Sequence, residues 1–345
     1  MSQRKLLILS YAFAPSIGGI ETVSDLVARS FSSRGYEVTV ITQALNPGIE
    51  SEDSFRVVRR PGVAALFREI RRADVVLQSN MSLRIGWPLW LVFLRKPFIL
   101  VHHTPLSRPD GRLAWQDRLK RALLWRPYCL SVSSFLASTI GARSLVIPNP
   151  YDSKFFRKIP GTDRNGDLLF VGRLVLAKGV DTLLNAFAFV LKARPTSTLI
   201  IVGEGPELKS LQELSKSLGI SESVKFLGSR RGPEVAELMN QHKILVIPSH
   251  SVPQEALSVV ALEGVATGCV PVASRQGGLP DAVGRAGVLF EEGNFEELSR
   301  ILIHLLNEPD LLEHYRSEGD EHLRQFHPES VANAYESHFN AVLRQ

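Results

Sequence analysis

Short apolar runs that end in glycine- or histidine-bearing turns, each followed by a segment with apolar residues at helical spacing, recur along the whole chain. That alternation is the grammar of a parallel sheet, because parallel neighbours must be joined by a crossover and the crossover is ordinarily a helix. The first half opens with KLLILSYAF and passes Gly18-Gly19 into residues 21–34, where Val23, Leu26, Val27 and Phe31 share a helix face. Gly35 closes that helix and the strand YEVTVIT follows. Further strands are expected at 73–78 and 97–103, and helices at 63–72, 83–95 and 112–126, the last with Trp115, Leu119, Ala122 and Leu123 on one apolar stripe. SLVIPNP at 144–150 ends this half.

The same grammar restarts after a polar, glycine-containing stretch at 157–167. Strands are expected in DLLFVGRL, STLIIVGEG, SVKFLG, KILVIPS and CVPVAS, and helices over 180–193, 207–218, 233–240 and 255–267. Two successive doubly wound α/β units result, with a boundary between residues 150 and 166. A length of 345 residues suits two such domains. The final segment, 328–343, starts with Pro and puts Val331, Tyr335, Phe339 and Val342 on one face, so it docks on something apolar.

Hydrophobic residues make up 44% of the chain and charged residues 22%, which excludes a disordered polymer and allows large cores. Cys129 and Cys269 each lie in apolar stretches and read as free thiols of a reducing compartment, so a cytoplasmic protein is expected. Arg4-Lys5 followed by the apolar run 6–14 has the outline of a signal peptide, but Pro15 is awkward beside a cleavage site and a first buried strand explains the run as well. Residues 85–94 are too few to span a bilayer. The net charge of +5 conceals an asymmetry: residues 1–150 carry a formal +10 and residues 151–345 a formal −5. The first half therefore meets something anionic more readily than the second.

Loops at the carboxyl ends of parallel strands bind ligands in such folds. In FVGRLVLAKGVD, Gly172 allows a tight turn while Arg173 and Lys178 place two cations ahead of a helix start, a combination suited to a pyrophosphate, or simply a solvated turn. VGEGPE, with Gly203 and Gly205, fails the dinucleotide fingerprint, since position 208 is Leu and Pro206 removes an amide; it is a pocket wall or a plain turn. In PSHSVPQEALSVVALEGVATGCVPVAS, Glu255 is expected at a helix start and Glu263 about 12 Å along it. Glu263 follows Val259-Val260-Ala261-Leu262, and an acid in so apolar a run needs a partner such as a ribose diol. Gly277-Gly278 in SRQGGLPD bring backbone close at a further strand end.

Together these segments resemble the large retaining glycosyltransferase family 4 of GT-B fold. Its members carry a GRL…KG loop, a G-x-G-P turn, a glutamate pair spaced by seven and a GGxPE loop, in this order. GGIET, a strand ending in His, and VIPNPYDSKFF extend the similarity over nearly the entire chain. The resemblance implies two Rossmann-like doubly wound domains facing a cleft: 1–150 binding the acceptor, 151–327 binding the nucleotide-sugar donor, and 328–345 a helix crossing back to the first domain. Arg173 and Lys178 would neutralise the diphosphate, Glu255 would face the sugar, Glu263 would hold the ribose, and the Ser258 and Val259 amides would cap a phosphate. Gly18 and Gly19 would approach phosphate or acceptor, and His103 would contact the donor sugar, with His102 an open alternative. Ser258 stands where many relatives have glycine, and Asp281 replaces the usual Glu after GGLP.

The implied reaction moves a hexose-type sugar from a UDP- or GDP-linked donor to a hydroxyl of a lipid-linked or glycan acceptor. Its setting would be bacterial cell-surface polysaccharide or glycolipid synthesis, and it involves no metal, no cofactor and no nucleic acid. The mechanism would be front-face substitution, with a donor phosphate oxygen taking the acceptor's proton. Rival readings are an epimerase or phosphorylase of the same fold, or a silent sugar-nucleotide binder; Arg173, Lys178, Glu255 and Glu263 together speak against the last. Arg108, Arg112, Arg118, Lys120, Arg121 and Arg126 cluster with Trp115 and Trp125, a mix suited to a helix lying on an anionic membrane surface. Arg59-Arg60, Arg68 and Arg71-Arg72 would extend that face, and the alternative is a solvated basic surface with Trp115 in the core.

Overall fold

A computed structural model describes residues 3–14, 18–44, 51–52, 54–91, 96–106, 115–140 and 143–344. Pro15, Arg108, Arg112 and the expected helical residues 92–95 and 112–114 lie outside them. The chain divides into two compact units, one made of Met1–Pro150 with Phe326–Gln345 and the other of Tyr151–Gln325.

The first unit runs β1 (Lys5–Ser10), α1 (Gly19–Ser33), β2 (Glu37–Thr42), β3 (Ser51–Glu52), β4 (Phe55–Arg59), α2 (Val63–Arg72) and β5 (Val75–Ser79). It continues with α3 (Leu83–Gly86), β6 (Phe98–His102), α4 (Trp115–Ala122), β7 (Tyr128–Ser131), α5 (Ser134–Ile140) and β8 (Ser144–Val146). Among the described residues the sheet order is β3-β4-β2-β1-β5-β6-β7-β8, parallel throughout except for β3 with β4. Leu6, Leu7, Ile8 and Leu9 are all buried, so the run with the outline of a signal peptide is a central strand covered on both faces.

Two helices differ from expectation. The one expected at 83–95 ends at Gly86 and passes into a 3-10 turn over Trp87–Trp90. Pro88 supplies no N–H to a continuing α-helix but is tolerated in the first turn of the 3-10 segment, where Trp87 keeps helical backbone. Within α4 the expected stripe faces outward, with Trp115 72% exposed and Leu119 42%, while Asp117 is turned in; Leu123, in the 3-10 turn after the helix, packs against the core instead. Trp115 is thus not a core residue.

The second unit runs β9 (Gly166–Val171), α6 (Val180–Ala193), β10 (Leu199–Val202), α7 (Leu208–Ser217), β11 (Val224–Phe226), α8 (Pro233–Gln241) and β12 (His242–Ile247). Then come α9 (Val259–Thr267), β13 (Val270–Ser274), α10 (Leu279–Val283), β14 (Val288–Phe290), α11 (Phe295–Asn307) and α12 (Pro309–Leu323). Its sheet order is β11-β10-β9-β12-β13-β14, all parallel. The order reverses between β9 and β12, so the loops after those two strands flank the switch point where such sheets bind ligands. Leu168, Phe170, Ile244 and Val246 of the central strands pack with Leu183 and Phe187 of α6 and Leu298 and Leu302 of α11 in one buried cluster, which holds the strand ends in place.

The last helix, α13 (Pro328–Leu343), belongs to the first unit. Its buried face is Val331, Ala332, Tyr335, Phe339 and Val342. The Phe339 ring lies 5.1 Å from that of Phe31 on α1, and the Tyr36 hydroxyl donates to Glu336 at 2.8 Å. Arg34 adds an ion pair to Glu336 at 3.1 Å. Phe339 is fully buried, so Phe339→Ala should destabilise the first unit by about 3–5 kcal/mol, the usual cost of truncating a core phenylalanine. Denaturant unfolding followed by fluorescence measures it, and a loss below about 1 kcal/mol would be too small for a docked ring.

Candidate functional site

At the switch point, β9 hands over to a loop whose shape is set by backbone contacts with the loop after β10. The Gly172 N–H donates to Val202 at 3.0 Å and the Leu174 N–H to Glu204 at 2.9 Å. Gly203 has φ +144°, and a Cβ there would run into the Gly172 carbonyl, just as one on Gly205 would strike that of Leu174. These two glycines therefore bring the loops together and fix the position of Arg173, and the Gly203 N–H donates to Gly228 at 2.9 Å. Arg173 is exposed, and a 3-10 turn over Leu176–Lys178 then leads to α6.

The loop after β12 lies against this turn, because the His250 N–H donates to Ala177 at 2.8 Å. It does not enter α9 where expected. The helix begins at Val259, not at Glu255, since the Glu255 backbone is bonded elsewhere: its N–H donates to Gln276 Oε1 at 3.1 Å and its carbonyl accepts from Gly278 at 2.8 Å. Gly277 has φ +52°, and a Cβ on it would strike the Glu255 carbonyl. Thus the paired glycines of GGLPD support the glutamate.

Thereby Glu255 is aimed at the β9 loop, where its carboxylate pairs with the Lys178 ammonium and also accepts from Ser249 Oγ at 3.2 Å. Both partners are mostly shielded, with side chains 26% and 19% exposed. Sequence reasoning missed His250. Its ring lies 3.7 Å from Asp181 in the first turn of α6 and 3.6 Å from Glu292, which also accepts from the Ser251 N–H at 2.8 Å. The only signal was its place five residues before Glu255, since its partners are remote in sequence.

Ser258 caps α9 in an extended conformation, is buried, and its side chain makes no capping bond. The Val259 and Val260 amides at the start of α9 have no intrahelical partner and sit at the positive end of the helix dipole, while the Ala261 N–H donates to Ser258 at 3.2 Å. One turn on, Glu263 is half-buried on a helix whose neighbours Ala261, Leu262, Gly264 and Val265 are buried. Burial, and secondarily the nearby Asp152 carboxylate, pushes the Glu263 carboxyl up to about 8. The second unit thus gathers fixed and exchangeable cations, free helix amides and a half-buried acid.

In the first unit, Gly18 caps α1 in extended backbone, and Gly19 is its first residue. A Cβ on Gly18 would meet the Glu21 carboxylate, so this helix start already faces an acid. His102 is fully buried and neither ring nitrogen has a partner among the described residues. His103 follows the end of β6, slightly less buried; its N–H donates to Asn80 Oδ1 at 2.7 Å, while its ring Nδ1 has no partner among the described residues. Burial lowers both rings to about 4, so both are neutral at physiological pH. Asn80 was not anticipated as a support for His103.

Two protein-family models match the chain, "Glycosyltransferase Family 4" over residues 17–155 and "Glycosyl transferases group 1" over residues 152–322. A D-inositol 3-phosphate glycosyltransferase of Frankia alni is 29% identical over 87% of this chain and 88% of that protein. The GDP-mannose-dependent monoacylated alpha-(1-6)-phosphatidylinositol monomannoside mannosyltransferase of Corynebacterium glutamicum is 32% identical over 50% of this chain and 47% of that protein. Among solved structures, HepE of Anabaena in complex with UDP and glucose matches with a TM-score of 0.79, covering 98% of this chain and 100% of that one, at 20% identity. That last likeness is one of fold.

The raised Glu263 carboxyl predicts a pH-dependent stability difference. A protonated Glu263 favours the folded state, a contribution fully present below the ordinary carboxyl value of 4.5 and lost as pH rises through about 8. Glu263→Gln removes that loss, so the melting temperature of the variant should gain on the parent's between pH 5 and pH 8.5. A constant difference across that range would show that Glu263 is ordinarily solvated.

Proposed function

The chain belongs to the GT-B glycosyltransferases of group 1 and family 4, and from that premise we propose that its second unit binds a nucleotide-diphosphate sugar and releases the sugar with retained configuration. The Lys178–Glu255 pair at the switch point carries this reading. Two unit charges at 4 Å attract by about 4 kcal/mol at an effective dielectric near 20, and desolvation offsets part of that. A diphosphate offers Lys178 more negative charge than one carboxylate. On donor arrival Lys178 exchanges Glu255 for the diphosphate, and Glu255 is released toward the sugar.

The other roles follow from chemistry. Arg173, exposed on its loop, joins Lys178 on the leaving diphosphate, where charge grows as the bond from the anomeric carbon to the phosphate oxygen breaks. The acceptor hydroxyl forms the new bond on the same face, and its proton passes to that phosphate oxygen. The Ser258 and Val259 amides cap a phosphate at the start of α9. Glu263 accepts hydrogen bonds from the ribose hydroxyls, Gly18 and Gly19 let backbone approach phosphate or acceptor, and neutral His103 meets the sugar. The reading assigns no step to a metal.

A hexose linked to UDP or GDP is the proposed donor. In support, the Corynebacterium relative is named for GDP-mannose and the Anabaena neighbour holds UDP. A lipid-linked or glycan acceptor of bacterial surface synthesis is proposed, and in support the Corynebacterium relative is named for a monoacylated phosphatidylinositol monomannoside. We further propose that the first unit rests on an anionic membrane surface from the cytoplasmic side. No helix among the described residues is long and apolar enough to cross a membrane. Instead α4 exposes Trp115 and Leu119, followed by Trp125, with Arg118, Lys120 and Arg121 beside them. Arg68 and Arg72 contribute less to that face than expected, because they pair with Glu69 and Glu37.

Arg173→Ala and Lys178→Ala should each lower sugar transfer on the order of 10²–10³-fold with the fold intact, Lys178→Ala melting somewhat lower because it leaves Glu255 unpaired, and EDTA should leave transfer intact. Steady-state turnover measures this, and normal turnover by either variant removes that residue from the mechanism. The protein should sediment with anionic and not with neutral vesicles, weakening steeply with salt, as screening acts over about 8 Å at physiological ionic strength. Equal partitioning onto both would leave the basic face without this role.

A further inference from the structure

The amino ends of β7 and β8 carry a groove of about 530 Å³. Its floor is apolar, formed by the buried Leu124, Cys129 and Ile140, and its rim is Arg121, Trp125 and Arg143. Because β6, β7 and β8 run parallel, this groove lies at the opposite end of the sheet from His103. It is therefore separate from the strand carboxyl ends where sheets of this kind bind their substrates.

Three observations show what the groove suits. Arg121 and Arg143 have no acidic partner among the described residues, and the Arg121 Nε is buried there without a hydrogen bond. Trp125 is 71% exposed, which an aromatic of that size tolerates poorly in water but well at a lipid boundary. The adjoining groove on the other side of Trp125 is different: its cations are engaged, Lys96 with the Ala73 carbonyl and Arg126 with the Lys96 carbonyl at 3.4 Å, and Asp74 adds a negative charge. Two free planar guanidinium groups over an apolar floor, with a rim tryptophan, match a phosphate attached to a hydrocarbon chain.

We propose that this groove binds the phosphate headgroup of an anionic phospholipid, Arg121 and Arg143 holding the phosphate and Trp125 resting at the lipid boundary beside it. The site rests on the membrane reading given above and deepens it, converting a diffuse electrostatic attraction into a seat at one end of the exposed stripe of α4. An acidic protein segment would use the same cations but gains little from the outward Trp115 and Leu119 beside them.

The decisive variant is Arg121→Lys with Arg143→Lys in the full chain, which keeps every charge and removes the planar fork. On vesicles of phosphatidylcholine mixed with phosphatidylglycerol, the double variant should bind about tenfold more weakly than the parent, the scale of a lost bidentate phosphate contact. Arg118→Lys, the same exchange outside the groove, should bind as the parent does. Melting curves establish that each variant is folded, and Arg143→Lys alone, at an exposed position, serves if the double variant is not. Parental binding by the folded lysine variant overturns the groove while leaving membrane attraction standing. Failure of the parent itself to bind anionic vesicles overturns both.

Discussion

An ion pair between Lys178 and Glu255, residues 77 apart in sequence, joins the two loops that flank the point where the second sheet reverses its order. Each partner is positioned by backbone rather than by its own side chain. Gly203 and Gly205 let the β10 loop press against the carbonyls on either side of Arg173, and Gly277 lets the β13 loop do the same to Glu255. A side chain at any of these glycines would displace the loop beneath it. The charges are then set at fixed places before a ligand arrives, which is where electrostatic catalysis gains its advantage over water.

Glu263 complements that pair with a different kind of poise. An acid held up to about 8 by burial is uncomfortable as a free carboxylate, and a hydroxyl-bearing ligand relieves it. His250, between Asp181 and Glu292, ties the Glu255 loop to the start of α6. The site therefore combines an ion pair satisfied within the protein, whose carboxylate partner a diphosphate can replace, with a half-buried acid that a ribose can satisfy.

Much of this was legible from spacing. The bounds of α6 and α13 follow from apolar periodicity, a glycine or proline at the start and burial of one clear face. The start of α9 was not legible, because Glu255-Ala256-Leu257 are good helix formers locally and only hydrogen bonds to Gln276 and Gly278 hold them out of the helix. The stripe of α4 was read correctly as a stripe, but periodicity cannot say whether an apolar face turns inward or outward. β4 (FRVVR) is broken by arginines and β7 (YCLS) carries no β-branched residue, so neither stands out from its neighbours, and the contacts of His250 and His103 are made across the fold. The basic first half resolves into ion pairs around Glu69 and Glu37 and two arginines at the groove beside Trp125 that have no acidic partner among the described residues.

The central claim is that the exchangeable pair serves a nucleotide-diphosphate sugar whose anomeric configuration is kept. Incubating the protein with a panel of UDP- and GDP-linked hexoses and following the released or transferred sugar by proton NMR tests it most directly. One donor class should be consumed, and the first-formed product should have the anomeric configuration of the donor. Consumption of none of the panel, or a first-formed product of opposite configuration, would contradict the account.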